Sequence, residues 1–316
     1  MKTAIIIVNY QTAKYLKKCL KSVFKNTEDF KIILVQNSPD EDSIKVQVEF
    51  QRKYPDLIHV ITHGRNLGFV GGINSAFEEA IKYERVCLLN SDVEVTKNWL
   101  SELNKLLDDS EIVQISPDTN TLHIHREPLL NRLIRRTPLG AYKILFKPLK
   151  SIADTKGFKE YSNFYEFPGG YCNVFKSEFF KEPYTRKEYF VDPNIIHGYW
   201  DEFDITNYLR LFGKVGWTDN SYVYHYYNVS FKKIKEDVKG MKEKLQLLNG
   251  LYVMQKWKDY VVKSLNDMPI ETLVDRNDSY VVKMALTYLG ILQVNPKSEE
   301  YINSIPAKEI GENFLK

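Results

Sequence analysis

Apolar runs alternate with amphipathic stretches over residues 1–116 of this chain. Residues 3–8 (Thr-Ala-Ile-Ile-Ile-Val) form a continuous apolar, β-branched run, which is typical of a strand buried on both faces of a parallel sheet. The apolar run 32–35 predicts a second strand. Between the two, apolar residues recur at helical spacing: Ala13, Leu16, Leu20, Val23 and Phe24. The chain is therefore predicted to begin as strand, helix, strand.

The same alternation continues to the end of this region. Further helices are predicted over 42–53, 73–82 and 97–107, and further strands over 57–61, 85–89 and 111–115. Strands that alternate with helices predict an α/β fold, with a doubly wound, mostly parallel, twisted sheet flanked by helices. In such folds ligands bind at the carboxyl ends of the strands, so the loops there are the first place to look for a site.

The alternation stops after residue 116. Residues 126–150 carry seven basic residues against one acid, Glu127, interleaved with leucine and isoleucine. A Gly-rich turn, a helix that begins near Asp201 and short aromatic strands follow, and from about residue 231 the sequence is helical and polar. The second half is therefore predicted to differ in architecture from the first.

These shifts predict a main domain and an extension. We expect one domain over 1–230, divided into a donor-binding half of about 1–116 and an acceptor-binding and catalytic half of about 117–230. We expect a helical C-terminal extension over 231–316. A length of 316 residues is enough for one large α/β domain with such an appendage.

Composition narrows the class of protein only slightly. The net charge is +3, from 44 basic and 41 acidic residues, so the overall field favours neither nucleic acid nor an anionic surface as a partner. The three cysteines, Cys19, Cys87 and Cys172, lie far apart in apolar settings and are predicted to be reduced core thiols. The apolar run before Asn9 is too short for a signal peptide or a membrane span, so a cytoplasmic location is expected.

Polar residues follow the first two predicted strands. Asn9 and Tyr10 end the first strand, where a turn and an aromatic ring can receive a flat base. The second strand ends in the run Gln36-Asn37-Ser38-Pro39-Asp40, whose amides can read a base edge. Simple turn chemistry, with the Tyr10 ring packed on the sheet, is the alternative for both.

A glycine loop over residues 66–74 precedes the next helix. Its three glycines allow the backbone to approach a ligand closely, and Asn66 and Asn74 bound it. The spacing fits neither a Walker loop nor a Rossmann fingerprint. A flexible connection is the alternative.

Two acidic clusters can carry chemistry. The strand that ends in Asn90-Ser91-Asp92 places a carboxylate where it can bind Mg²⁺ or Mn²⁺, although Asp92 could instead cap a turn. The run Trp200-Asp201-Glu202-Phe203-Asp204 precedes a helix, and one of its acids can act as a general base. The alternative is that these acids only complement the helix dipole.

His225 ends an aromatic run and is the last candidate side chain. An imidazole together with a carboxylate and phosphate oxygens makes a plausible shell for manganese. A structural hydrogen-bonding role is the alternative.

In this order, the clusters resemble those of inverting glycosyltransferases of family 2 with the GT-A fold, in particular the bacterial rhamnosyltransferase and galactofuranosyltransferase branch. The likeness covers about residues 3–228. It rests on the ordered set of motifs, since each motif alone is weak: Val8-Asn9-Tyr10; Asn37-Ser38-Pro39-Asp40; residues 66–74; Leu88-Leu89-Asn90-Ser91-Asp92; and Trp200-Asp201-Glu202 with His225.

The resemblance implies a role for each motif. The nucleotide-sugar donor is expected to contact Asn9, Tyr10, Gln36, Asn66, Gly71, Asn74, Asn90, Ser91 and Asp92. Asp92 takes the place of the last acid in the family's Asp-x-Asp motif and, with His225, is expected to bind Mn²⁺ or Mg²⁺. Glu202 is expected to be the catalytic base, with Asp201 as the second choice. Trp200, Gly169 and Gly170 are expected on the acceptor side.

Two departures from the family pattern bear on the substrate. The family usually has Asp where this chain has Gln36, so the nucleobase of the donor is open, with dTDP-rhamnose and a UDP-sugar as the alternatives. The position of the catalytic base holds Glu202 rather than Asp, so the acceptor hydroxyl would sit about one methylene further away.

The implied function is transfer of a sugar to a glycan or lipid-linked acceptor in bacterial polysaccharide synthesis. The stretch 126–150 is expected to contact an anionic membrane surface at its inner face, with a solvated lid as the alternative. The oligomeric state is open, with a homodimer through the C-terminal helices as one alternative.

Three other classes of protein are alternatives to this function. A nucleotidyltransferase usually carries a Gly-rich, basic signature after its first strand, where this chain has Asn9-Tyr10-Gln11. A non-catalytic sugar-nucleotide or glycan-binding protein would keep the fold without turnover. A nucleic-acid-binding module is disfavoured, because the basic residues cluster in one stretch without a recognition motif.

Overall fold

A computed structural model describes residues 2–120, 157–226, 229, 239–268 and 280–304. In the first of these ranges the strands are β1 Thr3–Asn9, β2 Phe30–Asn37, β3 Ile58–His63, β4 Arg85–Leu89, β5 Val93–Val95 and β6 Ile112–Thr119. The helices there are α1 Ala13–Asn26, α2 Glu41–Lys53, α3 Gly68–Ser75, α4 Phe77–Ala80 and α5 Trp99–Leu107. The predicted alternation of strands and helices is therefore confirmed.

The second half is irregular up to its central helix. Its strands are β7 Lys159–Glu160, β8 Cys172–Lys176 and β9 Lys214–His225, with a 3₁₀ turn at Ser177–Phe180. Its helices are α6 Asp201–Arg210, α7 Lys239–Lys256, α8 Lys258–Asn266, α9 Tyr280–Val294 and α10 Ser298–Ser304. The helix predicted from near Asp201 is confirmed as α6. The basic stretch 126–150 lies outside the described residues.

The described strands form one sheet in the order β3-β2-β1-β4-β8-β6-β9-β5, with β7 on β9. Strands β3, β2, β1 and β4 are parallel, as the alternation predicts. Strand β8 enters antiparallel between β4 and β6, and β5 pairs antiparallel with β9. The α/β fold is confirmed, and its sheet is parallel in the first half and mixed in the second.

Strand β1 lies at the centre of the core, and all seven of its residues are buried. Ala4, Ile6 and Val8 face one apolar cluster, while Ile5 and Ile7 face another that includes the buried face of α1. Burial on both faces explains why the run 3–8 is continuously apolar rather than alternating.

The C-terminal helices share the first of these clusters. Val253 and Met254 of α7, and Val282 and Ala285 of α9, belong to the same cluster as Phe203 of α6. The helix that carries the acidic run is therefore packed directly against the C-terminal part of the chain. Among the described residues no helix is long and apolar enough to cross a membrane.

Two local features differ from the predictions. The helix predicted from residue 73 begins at Gly68, so most of the glycine loop is helical. Glycine has a low helix propensity, and here side-chain hydrogen bonds from neighbouring loops compensate for it. Strand β5 was not predicted, because its three residues are a strand only through pairing with β9.

The three cysteines, Cys19, Cys87 and Cys172, are buried free thiols, as predicted. Burial raises the pKa of the Cys19 thiol above its usual range, and the nearby Asp92 carboxylate raises it further. The Cys19 thiol is therefore protonated and serves packing.

Candidate active site

Polar side chains at the carboxyl ends of β1 and β2, and just after β1 and β4, form one hydrogen-bonded network. Asn9 Nδ2 donates to Gln36 Oε1 at 2.8 Å, and Thr12 Oγ1 donates to Asn9 Oδ1 at 2.7 Å. The Thr12 hydroxyl also lies 3.1 Å from that of Ser91. Parallel pairing places Asn9 opposite Gln36, which brings the two amides together. The structure thus makes neighbours of three predicted donor-binding residues.

Gln36 is fully buried, and both polar atoms of its side chain are paired. Its Nε2 donates to the carbonyl of Ser43 at 3.1 Å, while its Oε1 accepts from Asn9. A buried amide with both atoms satisfied stabilises the turn after β2. Contact between Gln36 and a base stays a prediction. Tyr10, which follows Asn9, is partly exposed.

Asn37 fixes the start of the glycine loop. Its Nδ2 donates to Asn66 Oδ1 at 2.8 Å and to the Gly68 carbonyl at 3.0 Å, and its Oδ1 accepts from the Leu67 N–H at 2.8 Å. The same Asn66 oxygen accepts from the Gly68 N–H at 2.9 Å. Asn66 therefore holds the loop in place, and its predicted contact with a donor stays a prediction.

The other glycines of this loop allow close packing. A Cβ on Gly72 would lie 2.7 Å from Val8 Cγ1, and one on Gly71 would lie 2.8 Å from Leu67 Cβ. Both distances are shorter than real Cβ contacts. Gly72 therefore lets α3 approach β1 closely, and Gly71 leaves room for the Leu67 side chain.

Asn74 links α3 to a distant loop. Its Oδ1 accepts from the N–H groups of Phe190 and Val191, both at 3.1 Å, and its Nδ2 donates to the Val191 carbonyl at 2.7 Å. The Asn74 amide thus holds the loop ahead of α6. Its predicted place beside the donor is not tested by these contacts.

Asp92 and His225 meet at the end of the sheet. Asp92 Oδ1 lies 3.2 Å from His225 Nε2, and the two side chains are 8% and 10% exposed. Strand pairing sets Val93 opposite His225, and Asn120 fixes the His225 backbone by donating to its carbonyl and accepting from its N–H. Two residues remote in sequence therefore present an oxygen and a nitrogen to one point.

This pair suits a divalent cation. Neighbouring ligand atoms in an octahedral shell with bonds of about 2.1 Å lie about 3 Å apart, close to the observed separation of Asp92 Oδ1 and His225 Nε2. Among the described residues no group of three or more His, Cys, Asp or Glu side chains could hold a metal. Asp92 and His225 would supply two of the ligands of such an ion, and Mg²⁺ commonly takes others from water and phosphate oxygens.

Asp201 and Glu202 begin α6 as a hydrogen-bonded pair of carboxyl groups. Asp201 is 4% exposed, whereas Glu202 is partly exposed. Gly170 packs against the pair, because a Cβ there would lie 2.2 Å from Glu202 Oε1. Glu202 is therefore the member of the pair that is accessible from solvent.

Burial dominates the ionisation of this pair. It raises the pKa of Asp201 well above its usual range, and the neighbouring Glu202 carboxyl raises it further. Burial also raises the pKa of Glu202, but hydrogen bonds from its own backbone, Asp201 and Gly170 partly offset the rise. Burial thus favours the protonated form of both carboxyls, most strongly that of Asp201, while the hydrogen bond from Asp201 favours the ionised form of Glu202.

The segment 169–172 brings the carboxyl pair and the Asp92–His225 pair into one site. Gly170 touches Glu202, while the next carbonyl, that of Tyr171, accepts from the Asn90 N–H at 3.0 Å. The rings of Tyr171 and His225 have centroids 5.9 Å apart. We call the segment 169–172 the junction, and Asn90 contacts it through its backbone N–H. Through the junction, the motifs at 90–92, 201–202 and 225 are neighbours.

Asp204, the third acid of the run, has a different role. It is fully buried, accepts from Arg186 at 2.9 Å and Lys256 at 2.7 Å, and also accepts from the Trp257 indole at 3.1 Å. Burial alone would raise its pKa, but Arg186 and Lys256 hold the pKa of Asp204 below its usual range. Asp204 therefore fastens α6 to the C-terminal helices.

Two predicted acceptor-side residues have structural contacts. Trp200 is 5% exposed, and its Nε1 donates to the Gln246 carbonyl at 2.9 Å. The Gly169 carbonyl accepts from Asn173 at 3.3 Å. Contact of Trp200, Gly169 or Gly170 with an acceptor stays a prediction.

The sequence did not single out three side chains that shape the site: Thr12, Asn120 and Asn249. Thr12 follows the strand-end motif by three residues, a spacing that could have suggested it. Asn120 and Asn249 lie in segments with no motif of their own, so only their tertiary contacts identify them.

Comparison with known proteins gives this site a family. The model of glycosyl transferase family 2 matches residues 4–167. An uncharacterized glycosyltransferase of Nostoc sp. is 30% identical over 116 residues, which are 36% of this chain and 35% of that protein. The chain thus spans about a third of the length of this curated relative.

Solved structures share the fold at low identity. GalNAc-T7, crystallised with UDP, GalNAc and Mn²⁺, has a TM-score of 0.59 and 18% identity, over 88% of this chain and 54% of that one. The mannosyltransferase PcManGT of Pyrobaculum calidifontis, in complex with GDP-Man and Mn²⁺, has 0.54 and 12%, over 98% and 83%. S. aureus TarS 1–349 with UDP-GlcNAc has 0.52 and 13%, over 99% and 79%.

The α/β sheet flanked by helices thus matches GT-A glycosyltransferases, as the sequence predicted. The family match covers more than half of the chain and includes the strand-end motifs at residues 9, 36 and 92. On these grounds the chain belongs to glycosyl transferase family 2.

Proposed function

We propose that this protein is a metal-dependent, inverting glycosyltransferase that moves a sugar from a nucleoside diphosphate sugar to a hydroxyl of a glycan or lipid-linked acceptor. The observation that carries the proposal is the junction at 169–172, which joins the Asp92–His225 pair to the Asp201–Glu202 pair. A diphosphate-binding pair beside a general base is what a single displacement at a sugar carbon requires.

Each residue has one task in this reaction. Asp92 and His225 would hold Mn²⁺ or Mg²⁺, which supplies positive charge beside the departing diphosphate. Glu202 accepts the proton of the acceptor hydroxyl as that oxygen attacks the anomeric carbon from the face opposite the leaving group. Asp201 donates a hydrogen bond to Glu202, which favours the ionised form of the base. The anomeric configuration is inverted, because only one displacement occurs.

The donor is proposed to be dTDP-rhamnose or another sugar on a pyrimidine nucleotide such as UDP. This choice rests on the resemblance to the rhamnosyltransferase and galactofuranosyltransferase branch. Both amide atoms of Gln36 are paired within the protein, so we expect other groups near the partly exposed Tyr10 to select the base.

A thermal-shift screen with UDP, dTDP and GDP, each with and without Mn²⁺, tests donor binding. A nucleotide at 100 times its dissociation constant should add about 2.7 kcal/mol to the free energy of unfolding. Stabilisation by one nucleotide only with Mn²⁺ would support the proposal and identify the base. The absence of a thermal shift with all three nucleotides would contradict it.

Turnover separates the proposal from its main alternative, a non-catalytic sugar-nucleotide-binding protein. With the sugar nucleotide identified by the screen, release of the nucleoside diphosphate is followed with glycan acceptors and with water alone. Donor binding without release over a broad acceptor panel would favour the alternative.

The place of the reaction is proposed to be the inner face of a bacterial cell membrane, in polysaccharide synthesis. The basic stretch 126–150 lies outside the described residues, so this part rests on its sequence, with seven basic residues among apolar ones. Co-sedimentation with anionic vesicles that weakens as salt rises would support it. A lack of binding at low salt would contradict it.

A further inference from the structure

The segment just before α6 has an unusual backbone. His197, Gly198, Tyr199 and Trp200, four residues in a row, have positive φ angles of 61°, 142°, 64° and 73°. Left-handed backbone at a residue with a side chain costs about 1–3 kcal/mol and persists only where surrounding contacts impose it. We call residues 196–200 the lead segment. It immediately precedes Asp201, the first residue of α6, so its conformation sets the direction of the first turn of α6.

Asn249, on the C-terminal helix α7, supplies several of the contacts that impose this backbone. Its Oδ1 accepts from the Ile196 N–H at 3.1 Å, and its Nδ2 donates to the carbonyls of Ile196 at 2.9 Å and Gly198 at 2.8 Å. Asn249 is 2% exposed. The same Nδ2 also donates to the Tyr199 carbonyl at 3.4 Å, so one buried side chain contacts four backbone groups of the strained turn.

The neighbours of Asn249 on α7 act on the same segment. The Gln246 carbonyl accepts from the Trp200 indole at 2.9 Å. A Cβ on Gly250 would lie 3.0 Å from Trp200 Cε2, so a glycine there lets the helix approach the Trp200 ring. Helix α7 thus packs against the lead segment through Gln246, Asn249 and Gly250.

The glycine loop holds the opposite side of the lead segment. The Phe69 N–H donates to the His197 carbonyl, and a Cβ on Gly68 would lie 2.5 Å from His197 Cα. The lead segment is therefore held between a loop of the donor-binding half and a helix of the C-terminal extension. Neither side alone accounts for its conformation.

We propose that Asn249 is a positioning residue for sugar transfer: by holding the lead segment in its left-handed conformation, it places Glu202 against Gly170 and towards the acceptor. This inference rests on the proposed role of Glu202 as the base. It gives one side chain of α7 a role in sugar transfer, although Asn249 itself touches no reacting atom. A merely structural Asn249 would stabilise the fold without a specific effect on turnover.

The variant Asn249→Asp tests this role, because it keeps the size and the acceptor oxygen but loses the N–H donor to Ile196 and Gly198. A misplacement of about 1 Å in a catalytic group can lower the rate roughly 100-fold, so we expect kcat to fall about that much. The KM for the donor should change by no more than about threefold, since the metal pair and the strand-end amides are untouched.

Val253→Ala is the matched control. Val253 lies one turn further along α7, is fully buried in the shared core and makes no contact through a polar side chain. The control should lower the melting temperature while kcat stays within about threefold of wild type. A loss of kcat in Asn249→Asp no larger than in Val253→Ala would overturn the proposal.

Gly250→Ala provides a second variant if Asn249→Asp does not fold. The added methyl group would lie 2.9 Å from Met284 Cε and 3.0 Å from Trp200 Cε2. It therefore presses on the Trp200 ring as well as on the flexible Met284 side chain, and kcat should again fall with the donor KM nearly unchanged. Wild-type kcat in a folded Gly250→Ala protein would contradict the proposed control of the lead segment by α7.

Amide hydrogen exchange gives a readout that does not depend on turnover. Asn249→Asp should speed exchange at the amides of Gly198 and Phe69, which donate to the carbonyls of Ile196 and His197 in the lead segment, while Val253→Ala should not. If wild-type protein transfers no sugar, the proposed function fails, yet exchange still decides whether Asn249 holds the segment. Unchanged exchange at both amides in Asn249→Asp would overturn the inference.

Discussion

The carboxylate of Asp92 and Nε2 of His225 lie 3.2 Å apart because β5 and β9 pair with Val93 opposite His225. Asp92 follows β4, the fourth strand of the parallel half, and His225 ends β9 in the mixed half. The two side chains can therefore meet only when the two halves of the sheet are joined.

Asp92→Ala should abolish the Mn²⁺-dependent part of nucleotide binding, because His225 alone cannot hold the ion beside a diphosphate. The measurement is the thermal shift produced by the preferred nucleoside diphosphate with and without Mn²⁺. Asp56→Ala, at an exposed residue between α2 and β3, is the matched control and should behave as wild type. A full Mn²⁺-dependent shift in Asp92→Ala would place the ion elsewhere.

Glu202→Gln should bind the donor as wild type does but lose about 10²- to 10⁴-fold in kcat, because the amide cannot accept the proton of the acceptor hydroxyl. Calorimetric titration of the donor and the rate of nucleotide release measure the two effects separately. Asp201→Asn should keep more activity, since an amide can still donate a hydrogen bond to Glu202. The reverse order of the two variants would make Asp201 the base.

The pH dependence of kcat/KM should report the raised pKa of the carboxyl pair. A carboxylate base works only when ionised, so activity is present above its pKa and falls as pH drops through it. Because burial raises the pKa of Glu202, this fall should begin above pH 4.5, the ordinary value for Glu. In Asp201→Asn the acidic limb should not move to lower pH, because the hydrogen bond from Asp201 lowers the pKa of Glu202. A limb at or below pH 4.5 in wild type would contradict the raised pKa of Glu202.

Asp204→Asn should lower the free energy of unfolding by about 3–5 kcal/mol at pH 7, because it leaves the buried Arg186 with an uncompensated charge. The pKa of Asp204 is lower in the folded state than when unfolded, so its ion pairs stabilise the fold above about pH 4 and are lost as pH falls through the folded value. The difference between wild type and variant should therefore shrink in acid.

Urea denaturation at pH 7 and at pH 3 measures this effect. Glu102→Gln, which breaks an exposed pair with Lys105, is the control and should cost no more than about 1 kcal/mol. Equal losses in Asp204→Asn and Glu102→Gln would show that the buried cluster contributes no more than a surface pair.

The local parts of the fold were accessible from the sequence. Burial of β1 on both faces leaves a continuous apolar run, and the polar residues that follow it mark the carboxyl end of the strand. The motifs at Asn9, Asn66 and Asp92 were found in this way. Strand β5 and the start of α3 at Gly68 were missed, because short strands and glycine-rich helices take their form from neighbours rather than from local propensity.

By itself, the sequence determined the fold class, the strand ends that carry polar side chains and the acidic run that begins α6. Only the tertiary structure distinguished the environments of those acids. Asp204 forms ion pairs with Arg186 and Lys256, while Glu202 remains partly exposed. It also decided that Asn249 holds the lead segment. The physical reason is that periodicity and strand ends depend on nearby residues, whereas burial, pairing of charges and hydrogen bonds to a strained turn depend on groups that only folding brings together.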